Sequence, residues 1–292
     1  MRLPKLFGIL SLAAACLAHM EMSSPSPLGS RFNPNTSPGK VDYAYNSPLE
    51  PNGTNFPCKG HLDVLGTSDA TPVETWEAGG NYSAIVMGDS PHGGGSCQIV
   101  VSIDGGSTFR VIHSYIGGCP VGKGDNPLNF TVPRDIPSTE DAIMAWTWFN
   151  NVGVREMYMN CAVVRIVGGG DGDRFNQRPT MFRANSANGC STVDSKDTMF
   201  PNPGPDVDVN NRDAVLPKGD CETGPGATES ARESDEDEDE DGGDDGAQGN
   251  GNNTGTAPED ENHGWAVRPG PQQVVVLVGV MFFSFVWCGD LL

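Results

Sequence analysis

Basic residues are scarce in this 292-residue chain: 18 lysines and arginines stand against 38 acidic residues, for a formal net charge of −20. No run of lysine and arginine forms a patch, so a nucleic-acid partner is excluded on electrostatic grounds. Long apolar runs are also missing. The longest, Val274 to Trp287, has 14 residues, short of the about 20 a spanning helix needs. No amphipathic helix of useful length is written anywhere. There is no Cys-x-x-Cys pair or close Cys/His cluster of zinc-site spacing, no serine nucleophile elbow, no phosphate loop and no paired catalytic carboxylate. Hydrolysis by a serine triad and nucleotide chemistry therefore find no support. Histidine is rare too, at five residues.

The ends of the chain carry processing signals instead. Arg2 and Lys5 precede an apolar stretch, Leu6 to Leu17, and small residues at Cys16 and Ala18. This reads as a secretory signal peptide over 1–18, cut before His19. A cut after Ala15, leaving Cys16 first, is the rival. At the other end the 14-residue apolar tail follows a polar spacer, the pattern of a glycosylphosphatidylinositol (GPI) attachment signal over 265–292. A small residue roughly 8–12 positions upstream should be the attachment point. Asn262, with Gly264 two on, fits; Asn253, with Gly255 two on, fits a longer spacer. A marginal tail-anchoring helix is the alternative. Together these signals place the chain outside the cell, tethered to plasma membrane or cell wall. Asn35, Asn52, Asn81, Asn129 and Asn252 each open an Asn-x-Ser/Thr acceptor sequence, in keeping with that route.

Charge divides the interior. Glu229 to Asn262 holds 14 acidic residues and one basic residue, Arg232. Self-repulsion and the absence of apolar residues make 223–264 an extended, solvated linker. Screening beyond about 8 Å keeps its charge from steering much at a folded neighbour. Cys16 and Cys288 lie in the processed ends. Six cysteines remain: Cys58, Cys97, Cys119, Cys161, Cys190 and Cys221. An even number in an oxidising compartment implies disulfides, with the pairing left open. Closing Cys97 on Cys119 would contribute ~3 kcal/mol through chain entropy.

Short apolar or alternating runs fill the region between. They are 81–87, 97–103, 108–116, 128–132, 141–149 and 156–167, punctuated by Gly, Pro, Asn and Asp. Antiparallel strands at this spacing predict an all-β domain over 19–168, an immunoglobulin/fibronectin-III-like β-sandwich with long loops. Residues 169–222, rich in Pro, Asn and Asp, read as an irregular extension pinned by Cys190 and Cys221.

Chemistry has few places to sit. His263 lies in the tail, and His61 and His113 read as ordinary polar positions. His19, if the cut frees it, carries an amine and an imidazole on one residue, a bidentate metal ligand. His92 is followed by three glycines in "GDSPHGGGSCQ", which leaves its imidazole unshielded. In the strand "REMYMNCA", period 2 puts Glu156, Tyr158 and Asn160 on one face and Met157, Met159 and Cys161 on the other. A carboxylate beside a phenol suits the rim of a metal site, while the methionines read as core.

Five stretches taken in order, "HMEMSSPSPLG", "NFPCKG", "HGGGSCQ", "IGGCP" and "WTWFNNVGVREMYMNCA", resemble fungal lytic polysaccharide monooxygenases of auxiliary activity family 11. The resemblance runs from His19 to about Val167, and "FPNPGPDV" at 200–207 resembles the extensions of that group more loosely. It implies one copper ion in a histidine brace: His19 through its amine and a ring nitrogen, His92 through a third nitrogen, Tyr158 on the axis and Glu156 beside the oxygen-binding position. It further implies oxidation of chitin at C1 or C4 of a β-1,4-linked sugar, with oxygen or peroxide and an external electron donor. One position departs: the family usually carries alanine two residues before the second histidine, where this chain has Ser90. A surface copper-acquisition protein with the same brace and no polysaccharide cleavage is the alternative function.

Overall fold

The computed structural model describes residues 19–221. The expected signal peptide, the acidic linker with Asn252, and the expected GPI signal lie outside the described residues. Eleven strands are present: β1 (Met20–Ser24), β2 (Glu74–Glu77), β3 (Asn81–Gly88), β4 (Gly95–Ser102), β5 (Arg110–Ile116), β6 (Asn126–Thr131), β7 (Thr139–Asn150), β8 (Tyr158–Val167), β9 (Cys190–Ser191), β10 (Val207–Val209) and β11 (Lys218–Gly219). Among the described residues helix is confined to 3₁₀ turns at Cys58–Val64 and Ser68–Ala70 and one α-turn, Asp173–Asn176. The fold is all-β.

Two sheets make the body. A three-stranded sheet has the order β1-β3-β6, and a six-stranded sheet has the order β10-β5-β4-β7-β8-β2. In β6 the period-2 rule is plain: Asn126, Leu128 and Phe130 are buried, while Pro127, Asn129 and Thr131 face out. Met20, Met22, Ala84, Val86, Leu128 and Phe130 of the small sheet share one buried cluster with Ile99, Val101, Trp146, Trp148 and Val164 of the large one. That shared interior is the sandwich core.

The large sheet is covered on its other face as well. Val100, Val111, Ile143, Ala145 and Phe149 pack there against Phe182 and Phe200 of the C-terminal extension and against Leu49 of the first loop segment. Three phenylalanines, Phe149, Phe182 and Phe200, meet with centroids 4.9 to 5.9 Å apart. Each such pair contributes roughly 0.5–1.5 kcal/mol beyond area burial. Double coverage explains why every residue of β4 is buried, the polar Ser96, Gln98 and Ser102 included. The extension thus supplies a layer of the core. Its β10 also pairs with β5, in parallel, as β2 does with β8. The expected antiparallel set therefore gains two parallel edge strands.

Three disulfides join Cys58 to Cys161, Cys97 to Cys119 and Cys190 to Cys221. All six thiols among the described residues are consumed, so none there is left as a zinc ligand. Among the described residues no helix is long and apolar enough to cross a membrane.

Candidate metal centre

The first described residue immediately precedes an edge strand. β1 pairs antiparallel with β3, Met20 opposite Gly88, so His19 is delivered to the end of β3. Gly88 has φ +151°, and a Cβ there would stand 2.2 Å from the His19 carbonyl oxygen. Only glycine permits that approach. Met20 and Met22 point into the core, and Asn160 of β8 accepts from the Met22 amide at 2.8 Å. These contacts fix the register on which the histidine's position depends.

His92 sits in a tight turn closed by the Gly94 amide on the Pro91 carbonyl at 2.7 Å. Both central residues have positive φ, 47° at His92 and 72° at Gly93. A histidine held in the left-handed region costs of order 1 kcal/mol and persists where the surroundings enforce it. The surroundings do so. The Val152 amide donates to the His92 carbonyl at 2.9 Å. Trp148 Nε1 donates to the Gly94 carbonyl at 3.2 Å.

The two histidine rings come together at 5.5 Å between centroids. Tyr158 lies 5.9 Å from His19 and 4.5 Å from Trp148, its partner across the β7–β8 pair. Its hydroxyl donates to Glu156 Oε2 at 2.7 Å. One ligand atom each from His19, His92 and Glu156 lies within 4.8 Å of the others, and among the described residues this is the one such group of three. His19 Nδ1 and His92 Nε2 are both buried without a hydrogen-bond partner. Two buried imidazole nitrogens left unpaired side by side are costly unless a third party takes both lone pairs. The residues therefore fit a metal ion, and nitrogen donors suit Cu(II), the tightest divalent ion of the first row on such ligands.

Electrostatics favour the ligand forms. Burial lowers the His19 pKa below its ordinary 6.5; Glu156 opposes this, and His92 and Lys59 push further down. The neutral ring, the form that binds metal, is thus preferred. The Tyr158 phenol is driven strongly upward by burial, by its hydrogen bond to Glu156 and by that carboxylate's charge. It stays protonated.

All four sequence candidates, His19, His92, Glu156 and Tyr158, thus meet in one place. His61 pairs instead with Asp42 at 3.3 Å and stacks on Tyr45, and His113 pairs with Asp208 at 3.1 Å. Met157 and Met159 are core, as their face predicted. Sequence reading did not assign roles to Gly88, Trp148 or Asn150. Asn150 is fully buried, accepts from the Glu156 amide at 3.2 Å and donates to the Val152 and Val154 carbonyls. The quoted "WTWFNN" contains two of the three, but Trp148 bonds Gly94, 54 residues away, and the partners of Asn150 are main-chain groups of its own loop, which carry no sequence signal.

No protein-family model matches the chain. Among individual proteins, an "AA11 family lytic polysaccharide monooxygenase A" of Aspergillus fumigatus is 45% identical over 202 residues, which are 68% of this chain and 89% of the relative. An "AA11 family lytic polysaccharide monooxygenase" of Aspergillus oryzae is 35% identical over 218 residues, and a "monooxygenase B" of Aspergillus fumigatus with the same family name is 34% identical over 234. The chain spans about half the length of those two, 48% and 52%. Identity at that level over nearly the whole of the first relative, joined to the pair of buried, unpartnered imidazole nitrogens, places this chain in the AA11 family of lytic polysaccharide monooxygenases.

Proposed function

We propose that the mature protein binds one copper ion and cleaves a β-1,4-linked polysaccharide oxidatively, with chitin as the substrate class. The observation that carries this is the pair of buried, unpartnered nitrogens, His19 Nδ1 and His92 Nε2. In the chain as written the His19 nitrogen is an amide to Ala18. Cleavage at that bond would release an amine and complete a set of three nitrogens. Copper bound there would supply one-electron chemistry with oxygen or peroxide, drawing on an external donor.

The chain's own residues would do the rest. Tyr158 keeps its proton, donating it in a hydrogen bond to Glu156, and would offer a neutral oxygen beside the metal. The Glu156 carboxylate, anchored at one oxygen by that hydroxyl, keeps the other to hold or pass a proton at the reacting centre. Val152, 49% exposed, packs at the His92 turn, and Val154, 75% exposed, follows in the same loop; both offer apolar contacts to the flat C–H faces of sugar rings. A GPI tether would bring such an enzyme to the wall of its own cell, making wall remodelling its setting.

N-terminal analysis of the secreted protein, electron paramagnetic resonance (EPR) of its Cu(II) form and mass spectrometry of products from chitin with ascorbate test the reading together. Expected are an amino-terminal His19, a three-nitrogen spectrum and oxidised chito-oligosaccharides that vanish in His92→Ala. Copper bound with no oxidised product would defeat cleavage of chitin and favour copper acquisition. An amino terminus other than His19 would defeat the brace itself.

A further inference from the structure

One cation beside the site spends all its donors on main-chain oxygen. Arg155 immediately precedes Glu156, and its side chain is 17% exposed. Its Nη1 donates to the Asn150 carbonyl at 2.8 Å and to the Val193 carbonyl at 3.3 Å. Nη2 donates to the Asn151 carbonyl at 3.0 Å and to the Gly153 carbonyl at 2.8 Å. Nε reaches Gly153 again at 3.2 Å. These bonds match the five N–H groups a guanidinium owns. Asp194, mostly exposed, adds an ion pair at 3.3 Å.

The loop so gripped is the one that meets the metal centre. Val152 and Asn151 donate to the carbonyls of His92 and Gly94, and a Cβ on Gly153 would stand 3.4 Å from His92 Nδ1. The far side of the grip is the C-terminal extension. Asn185 Nδ2 donates to the Glu156 carbonyl at 3.0 Å, the Ser195 amide to the Asn151 carbonyl at 2.9 Å, and Asn151 Nδ2 to Asp197 Oδ1 at 2.7 Å.

We infer that Arg155 is a positioning residue: it clamps the loop Asn150–Glu156 against the segment Asn185–Asp197, and so sets where the His92 ring and the Glu156 carboxylate stand. The inference rests on the copper reading above but concerns residues which that reading does not use. Planarity is what the clamp needs. A lysine ammonium has three donors on a point charge and does not span carbonyls arranged around a fork.

The test uses the mature protein with its three disulfides intact. Arg155→Lys and Arg155→Ala are compared with Phe175→Leu, a buried core change away from the loop chosen to lower the melting temperature comparably. The Arg155 variants are expected to split the Cu(II) EPR signal into more than one species. They should also weaken Cu(II) binding about tenfold or more, the usual effect of losing an outer partner. Free guanidinium should restore the spectrum of Arg155→Ala, while lysine should not replace arginine. Phe175→Leu should leave spectrum and affinity unchanged. Wild-type spectra in both Arg155 variants, or the same spectral change in Phe175→Leu, overturn the inference. Should the Arg155 variants not fold, Asn185→Ala, which removes one strand of the clamp, is expected to move the EPR signal in the same direction, and an unmoved signal counts against the clamp. If the wild type itself shows no three-nitrogen copper, the copper reading falls. The clamp is then judged by hydrogen exchange of the 151–156 amides in the metal-free chain, faster in Asn185→Ala or Arg155→Lys than in Phe175→Leu if it exists and equal if it does not.

Discussion

At His19 the proposed metal ion would contend with a proton for one nitrogen. Burial already favours the neutral ring, so the sign of the pH dependence follows. As pH falls through the ordinary value of 6.5, the unfolded chain binds the proton first. Folding stability therefore drops with falling pH, and it levels off below the lowered native pKa. Unfolding of the metal-free protein by urea at a series of pH values should show this slope, and His19→Gln should flatten it. Cu(II) affinity should fall in the same direction, since binding expels protons. Glu21 makes the opposite case. Its carboxyl is 4% exposed with Oε2 unpartnered, and burial raises its pKa although Arg31 opposes this. Ionised Glu21 is disfavoured in the fold, so the cost appears as pH rises above the unfolded carboxyl's value of 4.5. Glu21→Gln should match the wild type in acid and melt higher near neutrality; equal melting at both would show that Arg31 compensates the buried charge in full. Much of the residue-level site was legible. A histidine after a cleavage motif, a histidine before three glycines, and a carboxylate two residues from a phenol are all local patterns. Asn150, Arg155 and Trp148 were not legible, because what defines them is which main-chain oxygen they reach, and that is settled by the path of the loops around the site.

Among the elements, the central strands could be read and the edges could not. β3 through β8 were anticipated within a few residues, because both their burial and their Gly/Pro/Asn punctuation are written in sequence. β1, β2 and β10 have five, four and three residues. Runs that short give no periodicity to read, and β10 is mostly exposed. Their existence depends on a neighbouring edge with unsatisfied amides. For the metal centre β1 is the decisive one, and Gly88 is its hinge point. Gly88→Ala would set a methyl against the His19 carbonyl in a backbone region alanine resists. The expected result is a folded protein whose Cu(II) affinity, measured by calorimetry, is at least about tenfold weaker, ~1.4 kcal/mol. Unchanged affinity would mean that His19 is placed by something other than the β1–β3 approach.

On the scale of the whole described region, the disulfides bind its layers. Cys58–Cys161 closes a separation of 103 residues, Cys190–Cys221 one of 31 and Cys97–Cys119 one of 22. On the chain-entropy relation the longest contributes about 4.7 kcal/mol. The double variant Cys58→Ser/Cys161→Ser should then melt about 10–15 °C lower, at ~2–4 °C per kcal/mol for a domain of this size. A drop of only a few degrees would indicate that the unfolded chain is already compact there. The pairing itself was out of reach of the sequence, since loop length does not say which cysteines the sheets bring together. The extension's share in the core was missed for a related reason: Phe175, Phe182 and Phe200 are isolated aromatics in polar surroundings, and only the folded sheets give them a place, Phe175 in the core between the sheets and Phe182 and Phe200 on the other face of the large sheet. The alternation along β1 has a last consequence, for how this terminus can change over generations. Met20 and Met22 face the core and Glu21 faces away. A single residue gained or lost between His19 and Met22, ahead of the register shift that lies between Met22 and Ser24, cannot be absorbed by sliding the strand, because that would turn a carboxylate into the sandwich and both methionines out. Length changes here are tolerable only in pairs, and a pair moves the first histidine by roughly 6–7 Å, past the reach of His92. The terminus is therefore locked in parity and in length at once, and variation in this family should be found behind β1 rather than within it.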